Sequence, residues 1–424
     1  MDRVLIWELK ENVGKVVTLR GWVHRVRELG GISFVVLRDR SGMAQLVFQG
    51  AVDFGVETVL AATGPIQANE KAPEGLEMVV ERVEIMAAAA GDLPVPINQD
   101  PDRIGLEAIL DHRMLSLRNP KIRSIFTLQS AINQYFGEYL RSQDFTEIKT
   151  SKLIGSGTEG GTGLFEVEYF ETKVYLAQSP QFYKQAMISS GMERVFEIGA
   201  AYRAEKHDTP RHLNEYVSLD VEMAFIESEE DLMDLESGIL TYIFEKIREN
   251  HQPILDQWNA TVPTAEQVAK APRLPHEEAK KIASDRVGHR LFEINPEAER
   301  VICDWSMEQY GVDLVFINEF PRKKRPFYTF PRGLKTMSFD LIFRGLEITT
   351  GGRRINEYPM LLETLPRFGL TEEGLGGYTD IFKYGCPPHG GFAIGLERLT
   401  QKILGLNNVK EASLFPRDRK RIKP

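Results

Sequence analysis

Cysteine is almost missing from this chain: Cys303 and Cys386 are the only two in 424 residues. They lie far apart and show no metal-ligand spacing. That excludes a disulfide-stapled scaffold and a cysteine-built zinc module, and it fits a reducing compartment. Each reads as a small buried residue. No apolar run approaches the ~20 residues that span a bilayer, so no membrane association is expected. The start, MDRVLIWELKENVG, lacks the pattern of a secretory signal, and a cytoplasmic location is the expectation. There is no G-x-x-x-x-G-K-[ST] phosphate loop and no glycine fingerprint after a first strand, which removes the commonest nucleotide folds. No internal repeat or low-complexity tract interrupts the chain. Basic charge is in deficit too. The net charge of −9 argues against a surface that is basic throughout and wraps nucleic acid. Local basic clusters remain at Arg25 and Arg27, and at Arg417, Arg419, Lys420, Arg421 and Lys423. Each is either a nucleic-acid patch or a solvated face.

What is present is an ordinary globular composition, 42% hydrophobic and 27% charged, at a length that holds two or three domains. Residues 1–88 carry four or five short β-rich runs, among them VVTLRGWVHRV, ISFVVLRDR, MAQLVFQG and LEMVVERVEIM. So many strands in so few residues predict an OB-fold barrel that presents a face to single-stranded nucleic acid. Residues 89–119 read as a linker or hinge, proline-rich and then more helical. Residues 120–424 open on a helix, PKIRSIFTLQSAINQYFGEYLRSQ, with Pro120 at its start. Beyond it, FTEIKT, KVYLAQ, VFEIGAAY, YVSLDVEMAF, PFYTF, SFDLIFRGLEITTGG and GGFAIG are strand-like without βαβ alternation. The expected class is α+β, an antiparallel sheet flanked by helices.

Two motifs carry the chemistry. Arg203-Ala204-Glu205 lies between two extended runs, and Gly395-Leu396-Glu397-Arg398 joins a Gly-rich strand to an amphipathic helix. Two guanidinium groups on separate elements, one beside a carboxylate, suit a bent nucleotide: one forks onto phosphate, the other stacks on a purine. The pair resembles motifs 2 and 3 of class II aminoacyl-tRNA synthetases. From end to end the chain resembles the short, archaeal type of aspartyl-tRNA synthetase. Only about 120 residues separate SLDVEM from SFDLIF, too few for the large insertion of the bacterial type.

The resemblance implies a site, residue by residue. Arg203 grips the α-phosphate and the amino-acid carboxylate, and Glu205 accepts from the adenine amino group. Tyr216 and Arg398 sandwich the adenine. Arg211 and His212 meet the outer phosphates, and Leu213, Gly395 and Glu397 complete the ATP-binding set. Glu347 is the firmer magnesium ligand, with Thr350 and Asp340 beside it; Asp340 and Glu347 stand seven apart in one run, so a bulge or twist is needed for both to reach one ion. In QSPQFYK, Lys184 is the expected cation for the substrate side chain, together with Arg354, while Ser179 and Gln181 hold its other groups. Such a cation is matched by aspartate and left unpaired by asparagine. Glu159, on the loop GTEGGTG, pairs with the substrate ammonium. Asp220 and Glu222 support the motif 2 strand. Ser151 stands where motif 1 has a proline, which touches the dimer interface of the family.

For the anticodon, the resemblance assigns stacking to Phe34 and hydrogen bonding to Gln45 and Arg27; taken alone, Phe34 is as well read as a core strand residue. His24 and Pro73 occupy positions where strictly aspartate-specific relatives tend to carry Trp and Lys. The implied activity is a non-discriminating aspartate–tRNA ligase. It charges tRNA(Asp) and also tRNA(Asn), the latter for a downstream tRNA-dependent amidotransferase. The implied substrates are L-aspartate, ATP with Mg2+, and tRNA, and the implied assembly is a homodimer. The rivals are a tRNA(Asp)-specific enzyme, an aspartate-to-asparagine ligase, and a catalytically inactive RNA-binding paralogue.

Overall fold

Gly30 and Gly31, both at positive φ (58° and 81°), reverse the chain between two strands, Val16–Leu29 and Ile32–Arg38. Two successive left-handed residues are what a tight hairpin requires, and glycine supplies them without steric cost. Met43–Gln49, Leu76–Val79 and Val59–Ala68 follow in spatial order, and the last pairs back onto Val16–Leu29, closing a barrel. Arg82–Ala87 adds an outer strand on Val59–Ala68. Alternation fills the interior with Leu19, Val35, Leu37, Leu46, Leu60 and Met78.

The computed structural model describes residues 3–72, 75–155 and 163–423. They divide into two compact units, Met1–Gly105 and Leu106–Pro424. Among the described residues the barrel sheet holds six strands, against the expected four or five. LEMVVERVEIM is two strands, because Val80 N–H donates to Val47 and Glu81 N–H to Thr63, sending the two halves to different neighbours.

In the second unit an eight-stranded sheet runs in the order Arg273–Pro275, Leu314–Asn318, Ser338–Phe343, Leu346–Arg353, His389–Gly395, Glu215–Ala224, Arg194–Tyr202, Thr146–Glu147. Only the outermost pairings at its two ends are parallel. The helices Pro120–Ser142 and Glu230–Gln257 pack onto it through Leu128, Ile132, Phe136, Ile239, Ile243 and Phe244. Strand alternation divides the labour: Leu219, Val221, Phe339, Leu341, Phe392 and Ile394 point into that core. Ser218, Asp220, Ser338, Ala393 and Gly395 line a cavity of about 850 Å³ on the opposite side.

Two strand expectations fail. PFYTF is a turn with one isolated bridge, Thr329 to Arg354. SFDLIFRGLEITTGG is a hairpin, not one run: Arg344 (φ 50°) and Gly345 (φ 70°) turn it back on itself. No helix among the described residues is long and apolar enough to cross a membrane. Cys303 and Cys386 are buried free thiols, each pushed up to about 12, chiefly by burial.

Candidate functional site

The cavity floor is built by the short helix Gln181–Met187 and the strand Glu215–Ala224. Lys184, 1% exposed, lies 2.9 Å from Asp220 Oδ1 and 3.3 Å from Glu222 Oε2. Arg354 Nε donates to Glu222 Oε1 at 3.0 Å, and its Nη2 donates to Gln181 Oε1 at 3.2 Å and to the Gly391 carbonyl at 2.9 Å. Gly391 makes this packing possible: a Cβ there would collide with the Val221 carbonyl and the Glu222 carboxylate. Burial pushes the Glu222 carboxyl up, but Arg354 and Lys184 more than offset it and hold it below its ordinary value. The two cations expected at this motif, Lys184 and Arg354, thus both stand at the cavity floor, with Asp220 and Glu222 beside them. Two buried cations already face two buried carboxylates, since an unpaired buried charge costs several kcal/mol. What the floor offers a ligand is direction: ammonium and guanidinium groups are donors only.

The motif 2 and motif 3 residues converge on the same cavity, which Arg203, Glu205, Arg211, His212, Leu213, Tyr216, Glu347, Thr350, Gly395, Glu397 and Arg398 all line. Ser179 lines it as well. Arg203 Nη2 reaches the Tyr216 hydroxyl at 3.5 Å. His212 Nε2 lies 3.8 Å from Glu205, and burial, then Arg398, lowers its pKa. Arg398 Nη1 donates to the Glu347 carbonyl at 2.9 Å. Glu397 turns inward: both its oxygens accept from Val217 N–H at 3.1 Å, and burial lifts it to about 7. It ties the motif 3 helix, Leu396–Leu404, to the motif 2 strand.

The hairpin decides the acidic pair. Asp340 sits opposite Thr350, and a register shift between Leu341 and Ile342 puts Glu347 opposite Ile342. That bulge restores Glu347 to the face of Asp340 and Thr350, which plain alternation would deny it. Thr350 Oγ1 lies 3.5 Å from Glu347 Oε1. Asp340 is not a cavity-lining residue. Its Oδ2 pairs with Arg325 at 2.8 Å, its Oδ1 is buried without a hydrogen-bond partner, and burial raises its pKa against the pull of Arg325. Among the described residues no group of three or more His, Cys, Asp or Glu side chains is placed to hold an ion. Glu159 lies outside the described residues. Ser151 is exposed and bonds the Leu153 carbonyl.

Sequence reasoning missed Arg325, Lys323, Lys324, Tyr328 and Gln178 of the cavity wall. The basic run before PFYTF was the available signal, but that segment read as a strand. Of the C-terminal basic cluster, Arg421 is spent on Glu107 and Asp111, which favours a structural role for it.

On the barrel, Arg27 lies opposite Phe34, and Gln45 opposite Val36. Phe34 is half-buried on the outer face, while its neighbours Ser33 and Val35 are fully buried, so it is not a core residue. Gln45 Nε2 donates to Glu77, which also accepts from Gln67 and Asn69. Sequence reasoning missed Glu77 as their organiser. His24 does not face outward. A bulge between Val23 and Arg25 turns it in, and it accepts from Arg38 Nη1 at 3.1 Å while Arg38 pairs with Glu57 at 3.0 Å. Burial, then Arg38, lowers its pKa. Pro73 lies outside the described residues.

Comparison with known proteins agrees with both halves. Residues 17–86 match an OB-fold nucleic acid binding domain, and residues 105–419 match class II tRNA synthetases (D, K and N). An aspartate–tRNA(Asp/Asn) ligase of Thermus thermophilus is 47% identical over all of both chains. One from Deinococcus radiodurans is 44% identical, covering 100% of this chain and 99% of its own. Among solved structures, asparaginyl-tRNA synthetase from Pyrococcus horikoshii with asparaginyl-adenylate superposes with a TM-score of 0.91 at 28% identity, covering both chains in full. The chain belongs to the class II aminoacyl-tRNA synthetases of the D, K and N group, a ligase family, and joins their catalytic domain to an OB-fold anticodon-binding domain.

Proposed function

We propose that this protein activates L-aspartate with ATP and transfers it to both tRNA(Asp) and tRNA(Asn). The observation that carries the amino-acid assignment is the cavity floor, which Lys184 and Arg354 line as two neighbouring cations, both bonded to Glu222. A β-carboxylate can accept from both; the NH2 of an asparagine amide finds no acceptor on either cation.

The chemistry follows from positions on the cavity wall. The α-carboxylate attacks the α-phosphate, the bond to the β-phosphate breaks, and pyrophosphate leaves. A terminal ribose hydroxyl of tRNA then attacks the acyl carbon and AMP leaves. Neither step needs a covalent enzyme group, so charge placement does the work. Arg203 neutralises the α-phosphate and orients the attacking carboxylate. Arg398, fixed by the Glu347 carbonyl, stacks on the adenine across from Tyr216, and Glu205 accepts from its amino group. Arg211 and His212 take the outer phosphates. Glu347 and Thr350, with the buried Asp340 carboxylate behind them, would hold magnesium, which would supply charge neutralisation at the phosphates; the all-oxygen donor set fits that ion. Phe34, Arg27 and Gln45 form the anticodon-reading face. A homodimer in the cytoplasm, feeding Asp-tRNA(Asn) to an amidotransferase, completes the reading.

The full-length likeness to proteins named for both tRNAs supports the dual specificity. Charging of purified tRNA(Asp) and tRNA(Asn) with labelled aspartate tests it. Efficiencies within about tenfold of each other, a gap of ~1.4 kcal/mol, are expected. Charging of tRNA(Asp) alone removes the dual specificity, and no aspartate charging of either removes the whole reading.

A further inference from the structure

Glu299 belongs to none of the motifs. It sits in the first turn of the helix Pro296–Tyr310, whose other buried residues are Ala298, Ile302, Cys303 and Ser306. Yet its carboxylate, 7% exposed, leaves that helix to bond two residues of the cavity. Glu299 Oε2 accepts from Arg211 Nη2 in a short ion pair and from the Glu347 backbone N–H at 3.3 Å. The connection closes on itself. The Glu347 carbonyl accepts from Arg398 Nη1 at 2.9 Å, and Arg398 Nη2 reaches back to the Arg211 carbonyl at 3.4 Å. The motif 2 loop, the acidic strand and the motif 3 helix thus meet in one ring. Its fourth member comes from a separate segment.

We propose that Glu299 is a positioning residue that holds the Arg211 guanidinium at the cavity wall for the outer phosphates of ATP. A long flexible arginine on a loop loses rotamer entropy when it binds; a buried carboxylate that already fixes one terminal nitrogen removes much of that loss. Among the described residues no side chain bonds Arg211 Nη1 or Nε, so two donor positions stay available to phosphate. Because the same oxygen holds the Glu347 backbone, the arginine and the acidic strand are set against one another from a common point.

The inference rests on the ATP-activating reading, so the test has two arms. In the first, ATP–pyrophosphate exchange is measured for Glu299→Gln, which keeps size and the acceptor for Glu347 but removes the charge. The KM for ATP should rise about tenfold, the worth of one charge-assisted hydrogen bond, with the KM for aspartate and the melting temperature near wild type. Arg211→Ala should lose at least as much, and the double variant no more than Arg211→Ala alone, because Glu299 acts through Arg211. An unchanged ATP KM, an equal loss for ATP and aspartate, or additive losses overturn the proposal. In the second arm, calorimetry of Mg·ATP binding without any amino acid reads the same weakening even if aspartate is not the substrate. Failure of the aspartyl reading is thereby kept apart from failure of this one.

Discussion

Glu236 has no exposed surface and accepts one hydrogen bond, from Thr349 Oγ1 at 2.6 Å. Burial lifts its pKa from 4.5 to about 8. A carboxyl raised in this way is neutral in the folded protein where the unfolded chain is already ionised. Its contribution to stability is complete below pH 4.5 and is lost as the pH rises through 8. Glu236→Gln, which cannot ionise, should match wild type near pH 5 and melt higher by about 2 °C or more at pH 9. Thermal scans across that range check it, and parallel curves at both pH values refute it. Lys184 is buried too, but it has two carboxylates beside it, Asp220 at 2.9 Å and Glu222 at 3.3 Å. QSPQFYK names the cation, but nothing in a linear motif shows which carboxylates will stand behind it. Glu299 was less legible still, one acidic residue in the acid-rich first turn of a helix, where such residues ordinarily face solvent.

Elements were readable where periodicity was long and the residues committed. Pro120 and the apolar spacing behind it mark Pro120–Ser142 with little ambiguity, and Asn119 caps it by accepting from Lys121 and Ile122. Short β-rich stretches hide their turns. Arg344-Gly345 reads as part of a single strand because the residues before it are buried on both faces, and Val80-Glu81 is hidden because the alternating polarity of LEMVVERVEIM runs through it. Bulges are invisible in sequence, yet two of them aim side chains here. One returns Glu347 to the cavity face; the other turns His24 inward onto Arg38. The second implies that Arg38, 2% exposed, is structural to the barrel. Arg38→Leu would remove the buried ion pair that Arg38 makes with Glu57 at 3.0 Å, a loss of about 3–5 kcal/mol. Chemical denaturation should show an early transition for the barrel while ATP–pyrophosphate exchange persists. A barrel that unfolds as in wild type contradicts the pairing.

Over the whole molecule, each of the two units carries hydrophobic core of its own. The barrel encloses Leu19, Val35, Leu46 and Met78, and the catalytic unit encloses Leu128, Phe136, Phe244 and Phe392. Each of these residues packs within the cluster of its own unit. Phe34 gives the sharpest use of that separation. Its ring stands on the outer barrel face beside Arg27, and its removal opens no cavity in the core formed by Val35 and Leu37. A stacked base is worth ~1–3 kcal/mol, so Phe34→Ala should raise the KM for tRNA by about tenfold. Aspartate-dependent ATP–pyrophosphate exchange, which needs no tRNA in this scheme, should stay at the wild-type rate. The two assays run on one preparation separate the outcomes. An unchanged tRNA KM removes Phe34 from the anticodon face. A fall in exchange would show that the change at Phe34 also acts on aspartate activation.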